Sequence, residues 1–203
     1  MPLKTMNQKQ LWDKLAKENS RYYINSDLGR DITEEEFVES GENDYQEYIQ
    51  FDPLIKPGGI FLEIGCGTGR MTEFIAKDFR VVATDISGEM IRQAQQRLSG
   101  IDFMETDGET IPLPDNSIDV AFSYLVFQHF KTKEMLVNNF KEVYRILKRG
   151  GLFKVRVRTD KIKNMESWWS GIDCDESIAE DTGFFLLQKE RVGDYGLWLW
   201  LEK

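Results

Sequence analysis

From residue 60 onward the apolar positions of the chain switch between two spacings. Compact apolar runs at 60–64, 80–84, 101–105, 118–124 and 151–158 predict strands. Between them apolar residues recur every three or four positions. Met71, Phe74 and Ile75 predict a helix near 68–77, and Met90, Ile91, Ala94 and Leu98 predict another after Ser87, which can cap it. The longest helical pattern covers 133–148, with Leu136, Phe140, Val143 and Leu147 on one side. Lys148 and Arg149 followed by Gly150 and Gly151 predict its end, with cations in the last turn and a glycine just past it. Strands alternating with helices through short connections predict an α/β fold, a mainly parallel sheet covered on both faces.

Both ends depart from this rhythm. FFLLQKE at 184–190 and GLWLWLEK at 196–203 predict two strands in an antiparallel hairpin. The first 55 residues predict a helical attachment, with the main domain over 56–203. Leu11, Trp12 and Leu15 mark a short amphipathic helix, and two pairs, Thr33 with Glu36 and Asp44 with Glu47, have the spacing of capping boxes. Tyr22, Tyr23, Phe37, Tyr45, Tyr48 and Phe51 make this region dense in aromatics.

Composition narrows the function classes. Over 203 residues, 30% charged and 41% hydrophobic side chains describe a globular protein in water. The formal net charge of −9 argues against a nucleic-acid partner, because such binding draws on a concentrated basic face. Basic character gathers only at KRG, 148–150, and KVRVR, 154–158, so no nucleic acid is expected. Two cysteines, Cys66 and Cys174, and one histidine, His129, exclude a disulfide framework and leave a metal site implausible. The opening MPLKTMNQKQLWDK lacks the apolar core of a signal peptide, and no run is long enough to cross a bilayer. A cytoplasmic protein without a membrane partner is the expectation.

The chemistry concentrates in IFLEIGCGTGR at 60–70, where Gly65, Gly67 and Gly69 directly follow an apolar run. In an open sheet of this class ligands sit beyond the carboxyl ends of the strands. Glycines there let the chain turn sharply and let a ligand approach the main chain. A dinucleotide fingerprint requires glycine or alanine at its sixth place, which counted from Gly65 is Arg70, and no phosphate-loop Gly-Lys-Ser/Thr follows. Asp85 ends the next apolar run, where a carboxylate can accept from both hydroxyls of a ribose or, alternatively, cap the following helix. Ribose recognition alone leaves several nucleotide cofactors open. Glu63 lies inside the first predicted strand, where an unpaired carboxylate is costly. Either it meets a donor network at the ligand, or it pairs with Arg70 to fix the loop.

Several segments, in order, resemble the motifs of class I S-adenosylmethionine-dependent methyltransferases of the broad small-molecule type, the type 11/25-like group. They are LEIGCGTGR at 62–70, ATDIS at 83–87, TDGETIPLPDNSIDV at 106–120, AFSYLVFQHF at 121–130 and KEVYRILKRGGLFKV at 141–155. The resemblance implies a Rossmann-like seven-stranded sheet of order 3-2-1-4-5-7-6 with strand seven antiparallel, and S-adenosyl-L-methionine as cofactor. It implies that Glu63, Gly65, Cys66, Gly67 and Gly69 surround the amino acid half. Asp85 would hold the ribose and Ile86 would flank the adenine. Asp107 and the Gly108 amide would meet the adenine edge, and the backbone at Ser123 and Tyr124 would face the methionine.

The protein's task in such a transfer is alignment with water excluded. An acceptor that must lose a proton needs a base, and His129 has the suitable ordinary pKa, although a hydrogen-bonded histidine steadying the next helix reads equally well. Arg158 shares a strand face with Arg156 and is the candidate contact to an acceptor's negative group. Trp168 and Trp169 can stack on a small-molecule acceptor or pack onto the N-terminal attachment, and Tyr22 and Tyr23 belong to a segment that can close over the cofactor; these four are the candidate aromatic contacts to the acceptor. Two other readings compete: a non-catalytic module that binds the cofactor or a protein, and a nicotinamide dinucleotide-dependent oxidoreductase. Oligomeric state has no signature in the sequence.

Overall fold

The computed structural model describes residues 6–159 and 171–203. Its elements are α1 Gln8–Ile24, α2 Glu34–Tyr45, β1 Ile60–Ile64, α3 Thr72–Ile75, β2 Arg80–Asp85, α4 Gly88–Arg97, β3 Asp102–Glu105, β4 Ile118–Ser123, α5 Lys133–Ile146, β5 Leu147–Arg158, α6 Ser177–Thr182, β6 Phe185–Val192 and β7 Gly196–Glu202. The seven-stranded sheet has the expected order, β3-β2-β1-β4-β5-β7-β6. The chain forms two compact units that meet in sequence at Asp107 and Gly108.

In the first unit β1 and β2 run parallel with Phe61 opposite Val81 and Glu63 opposite Ala83, and β2 runs parallel to β3. Phe61, Leu62 and Ala83 are fully buried, as expected of strands covered on both faces. Asn7 and Gln10 close a capping box at the start of α1, and Thr33 and Glu36 close the predicted one at α2. Asp44 and Glu47 form no cap. The chain stays helical there and α2 runs into a wider turn at Gln46–Gln50, leaving the Asp44 carboxylate to meet Arg70 at 2.6 Å. The helix predicted near 68–77 is reduced to the single turn of α3. Gly65, Gly67 and Gly69 have φ of 75°, 56° and 83°, left-handed values that bar a right-handed helix from starting earlier. Ser87 caps α4, its Oγ accepting from the Met90 amide at 3.2 Å.

In the second unit β4 is parallel to β5, while β5–β7 and β7–β6 are antiparallel. Thr132 caps α5, which ends at Ile146, short of the predicted 148. Leu147 is already extended and pairs with Ile118, and both side chains are fully buried. Gly150 accordingly does not close the helix. It turns the start of β5 with φ of 72°, and its amide donates to the Lys203 carbonyl at 2.9 Å. Phe127, Phe140, Phe153 and Phe184 form the core under this sheet, with Phe140 edge-on to Phe153 at 5.4 Å and to Phe127 at 5.3 Å. β6 is an exposed edge strand that interrupts its apolar start, Phe185–Leu187, with Lys189, Glu190 and Arg191.

Candidate functional site

Two clusters collect the predicted residues, one in each unit. In the first, the Gly65 and Cys66 amides both donate to the Thr84 carbonyl, at 2.7 and 2.9 Å, which ties the glycine loop to the end of β2. One residue on, the Asp85 carboxylate accepts from the Gly67 amide at 2.9 Å through Oδ2 and from the Ser87 amide at 2.8 Å through Oδ1. Ser87 caps α4, so Asp85 braces the loop rather than capping the helix. A carboxylate has about four acceptor positions; the Gly67 and Ser87 amides hold it firmly and the Ile86 amide also acts on it, and the remaining capacity can accept from a ligand hydroxyl. The group lies among protein atoms although the residue keeps some accessible surface. Burial pushes its pKa up to about 6, against the lowering effect of the Ser87 and Gly67 amides.

Glu63 sits deeper, and burial pushes it up to about 7 despite a 2.5 Å hydrogen bond from Thr72 Oγ1 and the nearby Arg70 charge. It braces α3 through Thr72. Arg70 turns the other way, to Asp44 and to Ser40 Oγ at 3.2 Å, so Glu63 and Arg70 do not form the direct pair that was one reading of them. Gly41 of α2 packs against this arginine so closely that a Cβ there would lie 2.2 Å from the Arg70 carbonyl oxygen. Burial raises the Cys66 thiol well above its usual range, which keeps it an unreactive part of the loop wall.

The amphipathic helix α1 lies along this edge. Lys9 Nζ reaches Glu105 at 2.5 Å and the Ile86 carbonyl at 3.5 Å. Asp13 accepts from Ser87 Oγ at 2.7 Å and from the Glu89 amide at 3.2 Å, adding a second cap to α4 from another helix. Ile24 lies against Gly67, where an added Cβ would come within 2.8 Å of its Cγ1. Nothing in the local pattern marks Lys9, Asp13 or Ile24, because each acts on residues more than forty positions away. Tyr22 and Tyr23 stand near the end of the same helix. Tyr23 is buried and donates to Glu18 at 2.9 Å, and Tyr22 packs edge-on to it with the Arg30 guanidinium 4.5 Å from its ring. Ile86 is half-buried and Asp107 is exposed just after β3.

In the second unit Gly108 has φ of 82° and its carbonyl accepts from Asn139 at 2.8 Å. β4 ends at Ser123, fully buried, and Tyr124 follows, half-buried and stacked on Trp198 with ring centres 5.6 Å apart and planes 12° from parallel. Leu125 then takes φ of 61°, a left-handed value uncommon outside glycine and asparagine. His129 is buried in the short turn Phe127–His129, with its Nε2 3.3 Å from the Gln128 side-chain amide. Arg158 is buried with its guanidinium 4.3 Å from the Tyr195 ring centre, and its carbonyl accepts from the Cys174 amide at 2.6 Å. Trp168 and Trp169 lie outside the described residues.

Residues 62–155 match the family model described as a methyltransferase domain. The chain is 32% identical over 109 residues to the probable tRNA methyltransferase 9B of Mus musculus, covering 54% of this chain and 24% of that protein. It is 35% identical over 127 residues to the malonyl-acyl-carrier protein O-methyltransferase of Yersinia pestis, covering 61% and 46%. The chain thus spans less than half the length of either curated relative. A solved S-adenosylmethionine-dependent methyltransferase of Aquifex aeolicus superposes with a TM-score of 0.62 at 21% identity, over 89% of this chain and 97% of that one. The fold is therefore that of class I S-adenosylmethionine-dependent methyltransferases. The expectation that excludes a nucleic-acid partner does not stand: net charge describes the whole surface, whereas the mouse relative carries tRNA in its name at this level of identity. Among the described residues no helix is long and apolar enough to cross a membrane.

Proposed function

We propose that this chain is an S-adenosylmethionine-dependent methyltransferase whose acceptor is a small organic group, free or carried on a larger molecule. The observation that carries the reading is the Asp85 carboxylate, held by the Gly67 and Ser87 amides at the mouth of a loop whose three glycines all take left-handed φ. When bound, S-adenosylmethionine supplies an electrophilic sulfonium methyl. Asp85 would accept the ribose hydroxyls and Ile86 would flank the base, with Asp107 and the Gly108 amide the residues proposed for its edge. The main chain of Gly65–Gly69 with Glu63 behind it would hold the amino acid half, and the backbone at Ser123 and Tyr124 is proposed to face the methionine. The chain's contribution is orientation and exclusion of water, which together lower the barrier by several kcal/mol. For an acceptor that must lose a proton, His129 takes it at a ring nitrogen.

A carried acceptor unites the relatives, one named for a malonyl group on a carrier protein and one for tRNA. The tRNA reading is the second candidate, favoured by the mouse relative. Calorimetry decides the cofactor: S-adenosylhomocysteine is expected to bind saturably and a nicotinamide dinucleotide to give no heat. The reverse result would return the oxidoreductase reading. Binding without methyl transfer to malonyl-carrier protein, to tRNA or to the chain itself would leave a non-catalytic module.

A further inference from the structure

On one face of β5 three cations follow each other at alternate positions, Lys154, Arg156 and Arg158. They face Trp200, Trp198 and Gly196 across the antiparallel pairing with β7. Lys154 and Arg158 are buried, with Lys154 Nζ 4.6 Å from the Trp200 ring centre and Arg158 over Tyr195. Arg156 differs from both. It is half-exposed, and its guanidinium lies 5.5 Å from the ring centre of Tyr124, with Nη1 at 3.5 Å from the Tyr124 hydroxyl, a long contact. Among the described residues it has no carboxylate partner, and its buried Nε makes no hydrogen bond. A guanidinium offers five donors in a planar fork, and leaving them without acceptors away from water is costly.

The surroundings hold this fork rigidly. Pairing sets Ser123 opposite Val155, so Arg156 stands one step beyond the end of β4, at the carboxyl edge where sheets of this kind receive ligands. Trp198 backs Tyr124, and the Tyr124 ring in turn supports the guanidinium. Gly196 makes room for it, since a Cβ there would meet Arg156 Nε and Nη2 at 3.0 Å. The left-handed Leu125 is spent on the same edge, and unusual backbone of this kind gathers at ligand sites.

We infer that Arg156, set against Tyr124, receives a carboxylate of the acceptor. The inference rests on the methyltransferase reading and deepens it by naming the substrate class, an acceptor with a free carboxylate. A single planar fork beside an aromatic wall matches a planar, bidentate carboxylate. A phosphate would call for more positive charge than one accessible guanidinium provides.

Malonate is the probe, titrated calorimetrically with and without saturating S-adenosylhomocysteine, beside inorganic phosphate. Saturable malonate binding is expected, weakened about tenfold or more in Arg156→Gln and by less in Arg156→Lys, which keeps the charge without the fork. Affinity for S-adenosylhomocysteine should stay within about twofold, since Tyr124, the neighbour Arg156 touches, stays stacked on Trp198 without it. No saturable malonate binding, tighter binding of phosphate, or equal malonate affinity in wild type and in Arg156→Lys or Arg156→Gln would overturn the inference. Loss of S-adenosylhomocysteine binding by the wild-type protein would instead sink the cofactor reading, and the malonate titration without it is read separately.

Discussion

The two clusters are built by different means. At the end of β1 and β2 the main chain shapes the cluster, through glycine φ angles and the amides of Gly67 and Ser87, around one side chain, the Asp85 carboxylate. Beyond the end of β4 side chains do it, through a guanidinium resting on a tyrosine that rests on a tryptophan. A site built from backbone tolerates few residue types, whereas one built from side chains can be altered piecemeal. The first therefore suits an invariant ligand and the second a ligand that distinguishes one enzyme from another.

The sharpest way to break the comparison is Asp85→Ala. The hydrogen bonds proposed for the ribose would be lost, and S-adenosylhomocysteine affinity by calorimetry should fall about 100-fold. An unchanged affinity would remove Asp85 from recognition. Next in size is a pH effect. Glu63 has a folded pKa raised to about 7 from 4.5, so the folded state binds the proton more tightly than the unfolded state. Its contribution is neutral below pH 4.5 and becomes destabilising as pH rises through 7. Glu63→Gln removes that penalty, so it should be more stable than wild type by about 3 kcal/mol at pH 8, with a higher melting temperature, and should match it only near pH 4. A melting temperature lower than wild type at pH 8 would mean that the charged carboxylate is needed.

Gly41→Ala drives a methyl into the Arg70 carbonyl and should cost about 2 kcal/mol in denaturant unfolding. In the other half, Gly196→Ala sets a Cβ 2.6 Å from the Val192 carbonyl oxygen and 3.0 Å from Arg156 Nε and Nη2, so it shifts the β6–β7 hairpin together with the guanidinium. Malonate binding should weaken about fivefold while S-adenosylhomocysteine binding holds, which separates the two kinds of recognition. The smallest effect belongs to Asp13→Ala, which deletes the second cap on α4. About 1 kcal/mol of stability should be lost, with cofactor affinity reduced only as far as Ser87 and Asp85 shift.

Much of the first cluster is legible in the sequence. Glycine spacing and a strand-ending aspartate are local signals, and the φ angles and the bonds to Asp85 agree with them. Less legible is how each partner is used. Glu63 answers to Thr72 rather than Arg70, and Asp44, which has the spacing of a cap, instead neutralises that arginine, because α2 packs against the loop through Gly41. In the second cluster the sequence marks the cations of β5 but not which of them is accessible. That depends on Trp198, some forty residues later, falling opposite Arg156, and on Gly196, paired with Arg158, leaving room beside its guanidinium.

The sequence by itself determined the strand and helix order and the glycine loop with Asp85, because each is a property of spacing within a few residues or of a backbone that only glycine permits; the order of strands in the sheet was implied only by the resemblance. Tertiary structure alone decided that α1 would lie along the loop through Lys9, Asp13 and Ile24, that helix α5 would yield Leu147 to the sheet, and that Arg156 would stand half-open on Tyr124. Those outcomes depend on strand register and helix packing, which bring together residues far apart in the chain and so leave no mark in any short stretch of it.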